Sequence, residues 1–349
     1  MKVLLVAGGK LPIPPAAWGG VENVIWQQYQ YLTRQGHDVS IFNKKGRVWH
    51  ALMAKPWQYD LVHLHDDGRA KIWAPLQKLL RFRLAITTHN GYTAFPDHWH
   101  KKYPLTFQKV LQVPYHLTLS HEIRDLLFVR GYGGKAWVLP NGIETAAMRF
   151  DPGPAAKQAL VLGRVQPRKK QVFLADILQS EPAVTLDLIG PTDLPDFSGN
   201  GSNVRYIGPW NRDAVENDLT QYACMVLISD GEAHAGVILE AMAAGLSIVV
   251  SPESAHNLDT SFPWVFVVDR DKPGEIVAAL KQAIAENPLY RAAIRAYCER
   301  AFDWRVIGPR YECILNAIVR GDVSGDGSEP FAYVPAVAEA AAAEITSAK

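Results

Sequence analysis

Cysteine is scarce in this 349-residue chain: there are three, Cys224, Cys298 and Cys313, and none forms a CxxC pair. That usage argues against a disulfide framework or a cysteine zinc site and points to a reducing, cytosolic location. No apolar run approaches the 18 or so residues a membrane-spanning helix needs, and the opening MKVLLVAGGK is too poor in apolar residues for a secretory leader. A P-loop is missing. The early glycines in VAGGKLP do not fit GxGxxG, and no acidic residue ends HDVSIF, so hydride transfer and ATP hydrolysis lack their signatures. Asp66-Asp67 is the only adjacent acidic pair and reads as solvated loop charge, so no metal site is expected. No helix-turn-helix or finger spacing accompanies the basic residues, which argues against nucleic acid as a partner.

What is present is an ordinary globular composition, 48% hydrophobic and 20% charged. The chain is longer than one core usually grows, which predicts two domains. The net charge of +1 conceals an asymmetry: residues 1–150 hold 19 Lys+Arg against 9 Asp+Glu, and the remainder holds 17 against 26. The N-terminal cations cluster in NKKGR, GRAK, QKLLRFR and HKKY. They form either a plain solvated face or a surface for anions, such as a phospholipid membrane or a phosphorylated acceptor.

Short apolar runs alternate with amphipathic ones throughout. KVLLVAG, HDVSIF, DLVHLH, LAITTH, HLTLS and AWVLPNG read as strands, and ALVLGRV restarts the pattern with VTLDLIG, VRYIG, CMVLISD and LSIVVSP. Continuous apolar strands separated by helices predict parallel sheets covered on both faces. The fold expected is α/β: two Rossmann-like, doubly wound domains facing across a cleft. Their bounds are 1–150 and 151–304, followed by a terminal helix at 305–320 returning to the first domain and a Gly/Ser- then Ala-rich tail at 321–349. Ligands of such sheets bind beyond the strand ends, where helix N-termini point. Gly19-Gly20, His89, Arg164 and Glu232 all fall at such ends.

Glu232 and Glu240 are eight positions apart in GEAHAGVILEAMAAG. In one continuous helix they would stand about 12 Å apart. A helix that starts near Ala235 instead leaves Glu232 in the loop above its N-terminus and Glu240 a turn inside, flanking whatever binds there. GRVQPRKK adds an arginine at a strand end and lysines five and six residues later, a cation set that suits a diphosphate beside positive helix ends.

These segments resemble, in order, those of a retaining glycosyltransferase of family 4 with the GT-B architecture: WGGVENVIWQQYQYLTRQGHDVSIF, DLVHLH, TTHNGY, LSHEIRDLL, VLPNGIE, LVLGRVQPRKK and the Glu-x7-Glu stretch GEAHAGVILEAMAAGLSIVVS. The resemblance runs to about residue 320. It implies that Glu232 grips the donor sugar and Glu240 the ribose, that Ala235, Gly236 and Val237 offer backbone N–H groups to sugar or phosphate, and that Arg164 and Lys169 neutralise the departing diphosphate. It further implies that Gly19 and Gly20 let the backbone approach that diphosphate, and that His89 lies near the transferred sugar. Lys170 competes with Lys169 for the lysine role. His234 stands where the family commonly has Phe, and it either hydrogen-bonds a substrate or packs.

The implied reaction moves a hexose from a UDP- or GDP-sugar to a hydroxyl of a glycan or lipid-linked glycan, without a metal or other cofactor, in envelope polysaccharide or lipopolysaccharide-type biosynthesis. The expected location is cytoplasmic, peripheral on the inner face of the membrane. GYTAFPDHWHKKY, with Tyr92, Phe95, His98, Trp99 and His100, reads as an acceptor or membrane-contact loop or as an ordinary packed one, and His65 as a residue within reach of the cleft. Two other readings stay open: a small soluble, phosphorylated acceptor, or a catalytically inert sugar-nucleotide-binding subunit. Epimerases that share the architecture are a lesser option.

Overall fold

In the computed structural model, residues 1–15, 19–91, 103–192, 194 and 202–321 are described. The aromatic loop from Tyr92 to Lys102 and the tail beyond residue 321 lie outside them. The described chain divides into two units. Met1–Gly142 is joined by residues 304–321, and Ile143–Asp303 forms the second.

In the first unit, β1 (Lys2–Val6), β2 (Asp38–Phe42), β3 (Leu61–Leu64), β4 (Leu84–Thr88), β5 (Tyr115–Thr118) and β6 (Lys135–Val138) pair in parallel, in the order β2-β1-β3-β4-β5-β6. β1, β3 and β4 are almost wholly buried, as their unbroken apolar runs require. The helix Trp304–Arg320 repeats buried residues at helical spacing (Trp304, Ile307, Tyr311, Ile314, Leu315, Ile318), and these share a core with Val3, Leu5 and Ile25. Gly308 is obligatory there, since a Cβ would overlap the Tyr31 ring.

The second unit contains β7 (Lys157–Leu162), β8 (Leu186–Ile189), β9 (Val204–Gly208), β10 (Tyr222–Leu227), β11 (Ser247–Val250) and β12 (Val265–Val267), in the order β12-β11-β10-β7-β8-β9. Counted from β7 this is the 3-2-1-4-5-6 order of a dinucleotide-type sheet, and the order reverses between β7 and β10. That reversal is where such sheets bind ligands. The sequence pattern shows neither the short strand β12 nor the full helix Pro273–Phe302, which runs through Pro288. The second unit begins at Ile143 for a visible reason. Ile143 N–H donates to Phe302 O at 2.9 Å, and the Asp303 carboxylate accepts from Thr145 N–H at 3.2 Å and from the Thr145 hydroxyl, tying the segment to the end of the long helix.

Candidate active site

The helix Gly236–Ala243 starts at Gly236 with Ala235 as its cap residue, and no side chain caps it. Ala235 offers only a methyl, so the first-turn N–H groups keep no side-chain acceptor and present a positive helix end. Gly236 is exposed, Val237 partly so, and a Cβ on Gly236 would meet nothing within 4 Å. Glu232 lies in the loop that leads into this helix, and Glu240 lies within its second turn.

Both carboxylates are held by arginines that the sequence pattern did not single out. Arg168 Nη1 donates to Glu232 Oε1 at 3.0 Å, to Gly231 O at 2.8 Å and to Ser229 Oγ at 3.2 Å. Lys169 Nζ stands 3.5 Å from the same Glu232 oxygen. Gly163 makes room for this lysine, since a Cβ there would lie 3.1 Å from Lys169 Nζ and its φ of +141° suits glycine. Glu240 is paired with Arg212, which also donates to Glu216 at 2.6 Å. Burial raises the Glu240 carboxyl above its ordinary range, and the Arg212 guanidinium opposes that shift. Arg168 belongs to the 3₁₀ turn Pro167–Lys169, and one adjacent basic residue looks like another in a sequence. Arg212 sits 28 positions from Glu240, with no periodicity to link them.

The structure separates the two candidate lysines. Lys170, in the left-handed region at φ 53°, points to Asp271 at 2.8 Å and Asp230 at 3.9 Å, away from Glu232. Arg164 is exposed at the end of β7, and its carbonyl accepts from Gln171 Nε2 at 2.9 Å. Arg164 and Glu232 therefore follow β7 and β10, the two strands that flank the reversal. His234 is buried with its ring 5.4 Å from that of Phe302; burial, with the His256 charge adding, pushes its pKa down to about 3. A neutral, packed imidazole fits the packing alternative at this position.

In the first unit, Gly19 (φ 151°) precedes the helix Gly20–Arg34, and space is open where a Gly20 Cβ would stand. His89 ends β4. Its Nε2 lies 3.2 Å from His65 Nδ1, and the His65 ring in turn meets that of His63 at a tilt of 49°, with centroids 4.2 Å apart. His63 is bonded to Tyr311 Oη at 2.9 Å and Thr87 Oγ1 at 2.8 Å. Burial pushes His63 down to about 3 and His89 to about 4, so this chain of imidazoles is neutral at physiological pH. Among the described residues no cluster of His, Cys, Asp or Glu is arranged to hold a metal ion.

Comparison with known proteins gives a consistent result. Residues 156–286 match the family described as "Glycosyl transferases group 1". A phosphatidyl-myo-inositol mannosyltransferase of Mycobacterium tuberculosis is 27% identical over 289 residues, 74% of each chain. Its namesake in Mycolicibacterium smegmatis is 25% identical over 298 residues, covering 76% of this chain and 74% of that one. Among solved structures, Anabaena Alr3699/HepE in complex with UDP-glucose superposes with a TM-score of 0.71 at 15% identity, covering 91% of this chain and 100% of that one. The lipopolysaccharide outer core galactosyltransferase WaaB gives 0.65 at 16% identity, with 93% and 100% covered. The structural matches and the two sheet orders show the GT-B fold. Residues 156–286 thus resemble a group 1 glycosyltransferase domain, and most of the chain is similar to mannosyltransferases.

Proposed function

We propose that this enzyme transfers a hexose, with retention, from a UDP- or GDP-sugar to a hydroxyl of a glycan or lipid-linked acceptor. The observation that carries this reading is the uncapped start of the helix Gly236–Ala243, flanked by Glu232 on Arg168 and Lys169 and by Glu240 on Arg212. Glu232 then accepts hydrogen bonds from sugar hydroxyls and Glu240 from the ribose. The helix start, with Arg164 and Lys169, stabilises the charge that grows on the diphosphate. Fixed dipoles and cations of this kind contribute several kcal/mol, on the order of 3 for a single well-placed donor. As the bond from the anomeric carbon to the diphosphate breaks, the acceptor oxygen bonds to that carbon on the same face and its proton passes to the leaving phosphate oxygen. His89, held by His65, is assigned to the transferred sugar, and Gly20 to close approach by the diphosphate. The cations supply the charge that a divalent ion supplies elsewhere, so no metal is required.

The mycobacterial relatives' names make the nucleotide diphosphate mannoses the first donors to try. A membrane-peripheral setting is supported by the segment after β2. There Trp49 is 67% exposed, Met53 59% and Trp57 50%, interleaved with Lys44, Lys45, Arg47 and Lys55. Exposed indoles beside cations suit an anionic lipid interface, here assigned to the cytoplasmic face of an inner membrane. No helix among the described residues is long and apolar enough to cross a membrane.

Calorimetric titration with UDP and GDP in the presence of a chelator tests the core of this reading. Saturable binding of one of them, abolished by Glu240→Ala, is the expected result. Absence of binding without metal ends the metal-free assignment. Full affinity with no product from any sugar donor favours the inert-subunit alternative.

A further inference from the structure

The imidazoles at the ends of β3 and β4 constrain where the protons of this pair of rings can sit. His65 is 2% exposed, and His89 is partly so. Their facing nitrogens, His65 Nδ1 and His89 Nε2, are 3.2 Å apart and the ring centres 5.5 Å, a difference of about one ring's breadth. Both nitrogens therefore stand on the line between the ring centres. The rings, 29° from parallel, meet edge to edge along an in-plane N–H···N bond. Behind His65 the His63 ring is itself fixed at both nitrogens, by Tyr311 Oη from the helix Trp304–Arg320 and by Thr87 Oγ1. The residue after His89 is latched to the same strand end, since Asn90 Nδ2 donates to Asp67 Oδ2. The end of β3 thus holds the end of β4 at two successive residues.

A neutral imidazole carries one N–H and one lone pair, and burial keeps both rings neutral. The other nitrogen of His65, Nε2, is buried with no hydrogen-bond partner among the described residues. If the shared proton sat on His89, His65 would carry its own on Nε2, as a buried N–H without an acceptor. If it sits on His65 Nδ1, the atom left over is a bare lone pair. Orphaned buried donors are rarer than under-used acceptors, so the second arrangement is favoured. His65 then donates and His89 Nε2 accepts. The proton of His89 is left on Nδ1, which has no partner among the described residues.

We propose that His65 is a positioning residue for the transfer: by occupying His89 Nε2 it fixes the His89 proton on Nδ1, which donates a hydrogen bond to an oxygen of the transferred hexose. The contact with the hexose rests on the transferase reading above, whereas the proton's place stands on the two rings. A chemical consequence follows for His89. With its lone pair taken by His65, it offers the sugar a donor and no base. It therefore cannot accept the acceptor's proton, which passes to the leaving phosphate oxygen.

The test uses the full chain with 15N-labelled histidine, whose imidazole shifts separate an N–H from a lone-pair nitrogen in each ring. Spectra of wild type, His65→Asn and His65→Leu are read without substrate, and His89→Gln assigns the His89 signals. Asn and Leu have nearly the same shape, and only Asn offers an N–H where His65 Nδ1 stands. Wild type is expected to show Nδ1–H on both His65 and His89. His65→Asn should keep that form of His89, and His65→Leu should release it to the Nε2–H form. Nucleotide release from UDP-mannose or GDP-mannose is expected to fall about tenfold in His65→Leu, the worth of one hydrogen bond, and to recover largely in His65→Asn. Affinity for UDP and GDP should stay within about threefold of wild type in both variants. A wild-type His89 protonated on Nε2 overturns the proposal, and that readout needs no variant to fold. Unchanged turnover in folded His65→Leu, or equal losses in the Leu and Asn variants, overturns the positioning role. If neither donor turns over in wild type, the transferase reading fails, while the wild-type spectrum still decides the proton's place.

Discussion

Arg168 and Glu232, 64 positions apart, are joined by a 3.0 Å hydrogen bond between Nη1 and Oε1, and the same guanidinium nitrogen holds the Gly231 carbonyl at 2.8 Å. The loop after β10 is thereby pinned to the turn after β7, so the carboxylate assigned to the sugar is oriented before any donor arrives. Such preorganisation reduces the ordering that substrate binding must otherwise accomplish.

Arg168→Ala should therefore act on the sugar rather than on the nucleotide. A hydrogen bond to a charged group contributes about 1.5–3 kcal/mol, and Arg168 is 40% exposed, so the low end applies. We expect turnover to fall about tenfold, with UDP or GDP affinity changed less than about threefold. Steady-state kinetics beside calorimetry checks this, and an equal loss of nucleotide affinity would sink the assignment. Arg164→Ala and Lys169→Ala should chiefly lower kcat, since their charge matters most as the diphosphate leaves.

Glu240 predicts a pH effect. Its folded carboxyl titrates above the ordinary range, so on acidification it protonates earlier than a free glutamate and ceases to accept from the ribose. Nucleotide affinity should fall at a pH above the free-carboxylate value of 4.5 and recover on return. Glu240→Gln should bind weakly and show no such step. The sign for stability is the reverse of the usual carboxylate case: a raised folded pKa favours the folded state at low pH, and that contribution is lost as pH rises through the folded value.

Histidines set the acid limit of stability. His63 and His234 are held down to about 3, and His89 and His116 to about 4, by burial. The unfolded chain takes up these protons near pH 6.5 while the folded chain does not, so stability is full above that pH and declines below it. Each group costs about 1.4 kcal/mol per pH unit below 6.5. Tm should drop steadily between pH 6.5 and 4. His116→Gln, which can replace the 3.0 Å bond from His116 Nε2 to Val110 O, should make that slope shallower. An unchanged slope would show that His116 is not buried neutral.

Gly20 separates fold from function. A Cβ there enters open space at the first position of a helix, so Gly20→Ala should leave Tm unchanged or slightly raised. If diphosphate approaches this backbone, Gly20→Val should lower turnover about tenfold or more while the protein stays folded, as circular dichroism would report. Full activity of Gly20→Val would remove the glycine from the site.

Much of the fold was legible because buried parallel strands must be continuously apolar, and runs such as KVLLV and LVHL have few other uses. The helix start near Ala235 was legible from Gly236 and the apolar run behind it. Strand β12 was not, since three residues, one of them exposed, carry no period. Nor was the full length of Pro273–Phe302, whose internal Pro288 reads as a stop.

What the sequence by itself determined is the alternation of strands and helices, the glycines and the charges at strand ends, because these follow from local sterics and burial. Only the tertiary structure decided which charge meets which. It set Arg168 on Glu232 and Arg212 on Glu240, and turned Lys170 to Asp271. Partners 28 to 101 positions apart share no periodicity. Their meeting depends on the order in which strands pair, and long-range packing alone sets that order.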